Sequence, residues 1–226
     1  EEAPNFGFSK TKIISKFLVE TQKINNNETW FFQMRFPHID KYKIIFTKKG
    51  KIIKSFRGGT FLSKQKGEVV NYNPTISFNL KSHSHYLVYF EIENDGATLR
   101  LPLSIKNETK YNVDNIFEKF IFGIYIGAII IMLLYNLSLY FSLKDKIYLL
   151  YVSYIFIATL SILTTNGIHF QYGFPNLHNF NNTITGVLVG FSIILLTLFT
   201  NSMLSISRDF KSLWKVMLNL IFLSIL

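Results

Sequence analysis

Residues 120–143 read FIFGIYIGAIIIMLLYNLSLYFSL, twenty-four positions between Lys119 and Lys144 without one charged side chain. As a helix they extend about 36 Å, enough to cross a hydrocarbon core of about 30 Å. This run decides the class of the chain: it predicts a membrane span. After Lys144, Asp145 and Lys146 no Lys, Arg, Asp or Glu occurs until Arg208. That second stretch is too long for one helix and has a polar centre, from Thr164-Thr165-Asn166-Gly167 to Asn181-Asn182. The pattern predicts a membrane region over 116–226, with helices at about 120–142, 147–164 and 183–204 and a partial helix over 212–226. The last has about 15 residues, short for a crossing, so the chain reads as a piece of a longer protein.

Outward from this region the composition changes. The 226 residues carry 24 Lys and Arg against 14 Asp and Glu, a net charge of +10. Residues 1–119 hold 19 of the basic and 12 of the acidic residues. A basic, water-exposed module is therefore joined to an apolar one. With 23 Phe and 12 Tyr the chain has ample surface to bury, which excludes a disordered polymer. The absence of cysteine excludes a disulfide scaffold, a thiol nucleophile and a thiolate metal site. The lysines scatter over turns and strand ends rather than forming a stripe, so nucleic acid is not the expected partner.

Short-loop charges set an orientation. Lys144 and Lys146 mark the first loop, the second (about 165–182) has no Lys or Arg, and Arg208, Lys211 and Lys215 mark the third. This alternation puts the first and third loops in the cytoplasm and the N-terminal module outside. Export in turn implies a removed leader or an upstream domain before Glu1-Glu2-Ala3-Pro4.

The exported half reads as short strands. We assign 1–27 to a lead-in, 28–105 to an antiparallel β-sandwich and 106–115 to a polar connector. Residues 30–36 put Trp30, Phe32, Met34 and Phe36 in one phase. Residues 42–47 and 51–56 flank Lys48-Lys49-Gly50, a hairpin signal. Residues 75–80 alternate, and Tyr86, Val88, Phe90 and Ile92 share a face opposite Glu91 and Glu93. Leu99, Leu101, Leu103 and Ile105 form a last apolar row. A turn at Asn94-Asp95-Gly96-Ala97 would pair these last two strands, with Glu91 facing Arg100. Asn115 with Glu118 three residues on matches a capping box opening the first membrane helix.

Several residues are candidates for chemistry. His83 and His85 would share a strand face, yet two ligands are too few for a metal site, and none is expected. Glu91, Glu93 and Asp95 suggest paired carboxylates, but the period of two makes the first two a solvent-facing pair. No Gly-rich phosphate loop, serine elbow or zinc motif occurs, so no cofactor and no catalytic residue are expected. Trp30 falls in phase with the core. Phe31 on the opposite face and the outward Tyr89 are the better candidates for stacking on a ligand. In the membrane, Gly123 with Gly127 and Gly186 with Gly190 have the spacing for close helix approach, within one bundle or at a homodimer seam. Tyr135 and Asn136 are polar groups of the kind that face a bundle and bond across helices.

These residues carry a resemblance. Phe122-Gly123-Ile124-Tyr125-Ile126-Gly127, Met132-Leu133-Leu134-Tyr135-Asn136-Leu137, residues 140–146, Tyr148-Leu149-Leu150-Tyr151, Gly167, Phe170-Gln171-Tyr172 and Pro175 resemble the bacterial seven-transmembrane receptors with diverse intracellular signalling modules. Residues 86–89 and 99–103 resemble the end of that family's periplasmic jelly roll, which is related to carbohydrate-binding modules. The resemblance implies a multi-pass protein of the bacterial inner membrane. It would sense an extracytoplasmic small molecule or glycan and relay it to a cytoplasmic kinase, cyclase or phosphatase. That output is absent from these 226 residues, which are expected to have no enzymatic activity. The competing reading is a membrane-anchored carbohydrate-binding module or a transporter fragment. A transporter more often shows intramembrane charges or a repeated half, and neither is present.

Overall fold

A computed structural model describes residues 5–8, 12–24, 28–59, 69, 71–93, 98–100, 102–168 and 178–225. Among these residues nine strands precede the helices: β1 (Asn5–Phe8), β2 (Lys12–Thr21), β3 (Thr29–Met34), β4 (Lys41–Lys48), β5 (Lys51–Gly58), β6 (Thr75–Asn79), β7 (Ser84–Glu93), β8 (Thr98–Arg100) and β9 (Leu103–Asn107). They form a four-stranded sheet in the order β2-β7-β4-β5, a three-stranded sheet β6-β3-β9 and a pair β1-β8. Every pairing is antiparallel.

The two larger sheets face each other across one core. The three-stranded sheet supplies Phe32, Met34, Ile76 and Phe78, and the four-stranded sheet supplies Ile44, Phe46, Phe56, Tyr86, Val88, Phe90 and Ile92. Phe32 meets Phe46 and Phe90 edge-on, each with ring centroids 6.4 Å apart, and Phe78 meets Phe46 at 4.6 Å. Alternation explains why: on each strand every second side chain points inward, and in these strands that set is apolar. The β-sandwich expected from the strand pattern is thus the observed architecture.

The Lys48–Gly50 hairpin signal is also met. Lys49 and Gly50 both have positive φ, +49° and +76°, as a two-residue turn matching the strand twist requires. Gly59, with φ +133°, ends β5 against the backbone of Asp40 and Lys41, where any Cβ would overlap their atoms.

Three expectations are corrected. The stretch 1–27 is not a lead-in, since β1 and β2 lie within it and β2 pairs along its whole length with β7. On β2 Ile14 and Leu18 are exposed on the outer face, and an exposed serine, Ser15, interrupts the inward phase of Ile13, Phe17 and Val19, which hides its period. Second, β7 and β8 do not form a hairpin. β2 and β4 occupy both edges of β7, leaving no edge for β8, which pairs β1. Glu91 therefore lies opposite Ile14 and Lys43 rather than Arg100, although Phe90 does point inward and is buried. The turn 94–97 lies outside the described residues. Third, 106–115 is no connector. β9 runs to Asn107 and a helix starts at Glu108, so Asn115 and Glu118 sit inside it. The cap is Asn107, whose side-chain oxygen accepts from the Lys110 N–H at 3.0 Å.

Among the described residues the helices are α1 (Glu108–Leu143), α2 (Lys146–Thr165), α3 (His178–Leu204), α4 (Ile206–Asp209) and α5 (Lys211–Ile225). Three of them contain stretches long and apolar enough to span a membrane: α1, α2 and, within α3, Thr183–Leu204. Asp145 caps α2 by accepting from the Ile147 N–H at 2.9 Å. Ser205, at φ +50°, breaks α3 from α4. In α2 and α3 the hydroxyls of Ser153, Thr159, Ser161, Thr165, Thr197 and Thr200 donate to the carbonyl four residues back. Tyr151 of α2 meets Phe199 of α3 at 5.1 Å. The chain divides into two units at Ile116 and Phe117, so residues 108–116 of α1 belong with the sandwich.

Candidate functional site

The outer face of the four-stranded sheet has two unlike ends. At one end Glu93 lies between Lys12 and Lys41 in register, and Glu91 opposite Ile14 and Lys43. Lys12 Nζ stands 2.7 Å from Glu91 and 3.7 Å from Glu93, and Lys41 Nζ 3.5 Å from Glu93. The hydrogen bond to Glu91 is the main cause that raises the Lys12 pKa. These carboxylates, weighed above as a catalytic pair, are thus held in ion pairs by lysines. Asp95 lies outside the described residues.

At the other end the face is apolar. Leu18, Ile45, Leu87 and Ile52 line a groove of about 440 Å³ with Tyr89, Thr47, His85, Lys49 and Gly50. Tyr89 is 39% exposed, whereas Leu18 and Ile52 are 62% and 68% exposed. The sequence-predicted ligand residue Tyr89 thus lies on this groove. His83 precedes β7 in a left-handed conformation rather than sharing its face with His85, which lies 3.9 Å from Glu20. Among the described residues no three His, Cys, Asp or Glu side chains gather into a metal cluster.

The outer face of the three-stranded sheet is covered instead, and Phe31 is under the cover. Its ring stacks on that of Tyr111, on the first turn of α1, with centroids 4.2 Å apart and planes 9° from parallel. Tyr111 is buried, and its hydroxyl accepts from the Asn71 Nδ2 amide at 2.8 Å. Asn71 Oδ1 in turn accepts from the Asn73 N–H at 3.2 Å. One turn further along α1, Asp114 binds Lys106 of β9 at 2.8 Å and Lys110 at 2.9 Å. These two hydrogen bonds hold the Asp114 pKa below the usual carboxylate value. Gln33 and Thr75 are buried on the same face. The helix start is therefore docked on β3 and β9 by one ring stack and a polar network.

Sequence reasoning missed this dock. Asn115-x-x-Glu118 satisfies the capping-box pattern, whereas the true cap Asn107 has Lys110 at its third position. The available signal was the spacing of Tyr111 and Asp114, three apart and so on one helical face.

Among the described residues, apart from the chain neighbours and the helix's own nearby backbone, no atom lies within 4 Å of where a Cβ would stand on Gly123, Gly127 or Gly186, and Gly190 is buried. Asn136 donates to Met132 O of its own helix at 2.8 Å rather than across to another, and Tyr135 is exposed.

A family model described as 7TMR-DISM extracellular 2 matches residues 1–107, and one described as 7TM diverse intracellular signalling matches residues 118–226. The chain belongs to the seven-transmembrane receptors with diverse intracellular signalling modules. Comparison with curated proteins and with solved structures returned no match. In this receptor chain the extracellular-domain match covers all nine strands, β1 and β2 included, and the membrane-domain match starts ten residues into α1. The chain thus combines an extracellular β-sandwich with membrane-spanning helices, as in a multi-pass membrane receptor. The ten residues between the two matches, 108–117, include Tyr111 and Asp114 of the dock.

Proposed function

We propose that the chain is the sensing and relay part of an envelope receptor. A small extracytoplasmic molecule binds on the sandwich, with Tyr89 among its contacts, and α1 carries the change into the membrane. The observation that supports this reading is the start of α1. Its first turns are fastened to the sandwich by Tyr111, Asn71, Lys106 and Asp114, and the same unbroken helix contains the uncharged run 120–143. Phe31 serves the relay, since Tyr111 takes one face of its ring. A ligand transmits a signal only if it favours one of two arrangements. A polar dock of a few bonds is an element whose two states, docked and released, differ by a few kcal/mol.

The expected topology is that of the charge pattern, with the sandwich outside and Lys144 and Lys146 in the cytoplasm of a bacterial cell. The 226 residues contribute no catalysis of their own in this reading. The relay is tested with a nitroxide on Ser138→Cys, a clean label because the chain has no other cysteine. In bilayers, Tyr111→Ala should change the mobility or lipid exposure of that label. An unchanged signal, in protein whose first α1 turns have demonstrably lost protection from hydrogen exchange, would refute a relay through α1.

A further inference from the structure

We infer that the groove on the four-stranded sheet takes a free, single-chain anionic amphiphile rather than a sugar. The inference rests on the groove being the ligand site of the receptor reading and adds the chemistry of what fits it. The solvent face of an antiparallel strand pair is ordinarily polar. Here the charged end of the face obeys that rule and the groove end does not. In register, Leu18 lies opposite Leu87, Leu87 opposite Thr47, and Thr47 opposite Ile52, so one row crosses all four strands with three aliphatic side chains. In the next row Tyr89 and Ile45 stand at the centre, with Lys16 and Ser55 on the flanking strands.

The lining residues contain no Asp, Glu, Asn, Gln or Arg. Of the two lining hydroxyls, Thr47 Oγ1 already donates to Leu87 O at 3.0 Å, which leaves that of Tyr89. A polyol would lay several hydroxyls against aliphatic carbon with no side-chain amide or carboxylate to receive them, and each unmet group opposes binding. An alkyl chain meets no such obstacle. Charge then chooses the head group. The fixed charge among the lining residues is Lys49, exposed on the tight turn at one end of the groove, and His85 has its acid Glu20 beside it. A carboxylate or similar anion at Lys49 complements this arrangement. The volume of about 440 Å³ lies within the usual range of small-molecule sites, roughly 300–1,000 Å³.

The test is equilibrium dialysis of the 226-residue chain in nanodiscs, with uptake by empty nanodiscs subtracted. The probes are hexanoate, octanoate and decanoate, with octan-1-ol and maltose as controls. Carboxylate uptake should saturate and tighten about fourfold per added methylene. Lys49→Gln should weaken octanoate at least fivefold and leave octan-1-ol within twofold, and Leu18→Asp should abolish both. Both sites are exposed, and hydrogen-exchange protection of the Phe90 amide verifies folding of each variant. Octanoate uptake no greater than in empty nanodiscs would overturn the proposal. So would equal octanoate binding by Lys49→Gln, maltose capture lost in Leu18→Asp, or a dimer that Leu18→Asp dissolves while octanoate stays unbound. The relay experiment on Ser138 uses no ligand, so failure here leaves that result standing.

Discussion

Tyr111→Phe isolates the polar part of the α1 dock. The ring stack on Phe31 survives, and only the hydroxyl that accepts from Asn71 is lost. Asn71 is itself buried, so its amide donor is left without a partner inside the protein. Leaving a buried donor unmet costs about 1–3 kcal/mol. If residues 109–116 exchange their amide hydrogens through release of the dock, that cost appears as about a 5- to 150-fold faster exchange. Tyr111→Ala also removes a buried aromatic ring, for which about 3–5 kcal/mol is typical, and should bring exchange close to that of an undocked helix end. The assay is amide exchange by mass spectrometry on the 226-residue chain in nanodiscs, with β7 as internal reference. Exchange at 109–116 that stays within twofold of wild type in Tyr111→Phe would refute a dock held by this bond. Equal loss of protection in β7 would show that Tyr111 belongs to the global core rather than to a separable contact.

Three further outcomes are expected. Phe90→Ala, at a fully buried position, should destabilise the sandwich by about 3–5 kcal/mol, whereas Glu91→Ala, in an exposed ion pair, should barely move its denaturation midpoint; similar shifts would contradict the observed register. Asp114 has a depressed folded pKa, so its contribution to docking is fully present above the unfolded value of about 4 and lost as pH falls through the lower folded value. Exchange at 109–116 should therefore quicken below about pH 4 relative to a model peptide, and Asp114→Asn should remove that dependence. Finally, a cysteine in place of Asp145 should resist a membrane-impermeant thiol reagent in cells with permeabilised outer membranes, and ready labelling would reverse the topology.

The core of the sandwich was legible because burial leaves a simple imprint. Phe32 and Met34, Val88 and Phe90 alternate with polar or less buried neighbours, and a period of two has one structural meaning. The uncharged run 120–143 was legible for a similar reason, since a bilayer tolerates little else. The pairing of β7 was not legible. Adjacency in sequence favoured a hairpin with β8, and nothing local records that β2, seventy residues upstream, holds one of its edges. The dock was hidden because, Phe31 apart, its residues carry polar groups, and it draws on separate segments, at 31, 71, 106 and 110–114. The groove was half visible: Tyr89 stood out as an outward aromatic, but Leu18 and Ile52 gain meaning only when the register sets them on either side of Leu87 and Thr47.

The hydroxyls along α2 and α3 bear on how such a protein is made. Ser153, Thr159, Ser161, Thr165, Thr197 and Thr200 each spend their hydrogen on their own helix. A segment emerging from the ribosome with its side-chain donors paired in this way need not wait for a neighbour before partitioning into lipid. Each can enter on its own and find its place afterwards. Its affinity for other helices then comes largely from the shape of its surface, with Thr185 of α3, whose buried hydroxyl has no partner among the described residues, as an exception.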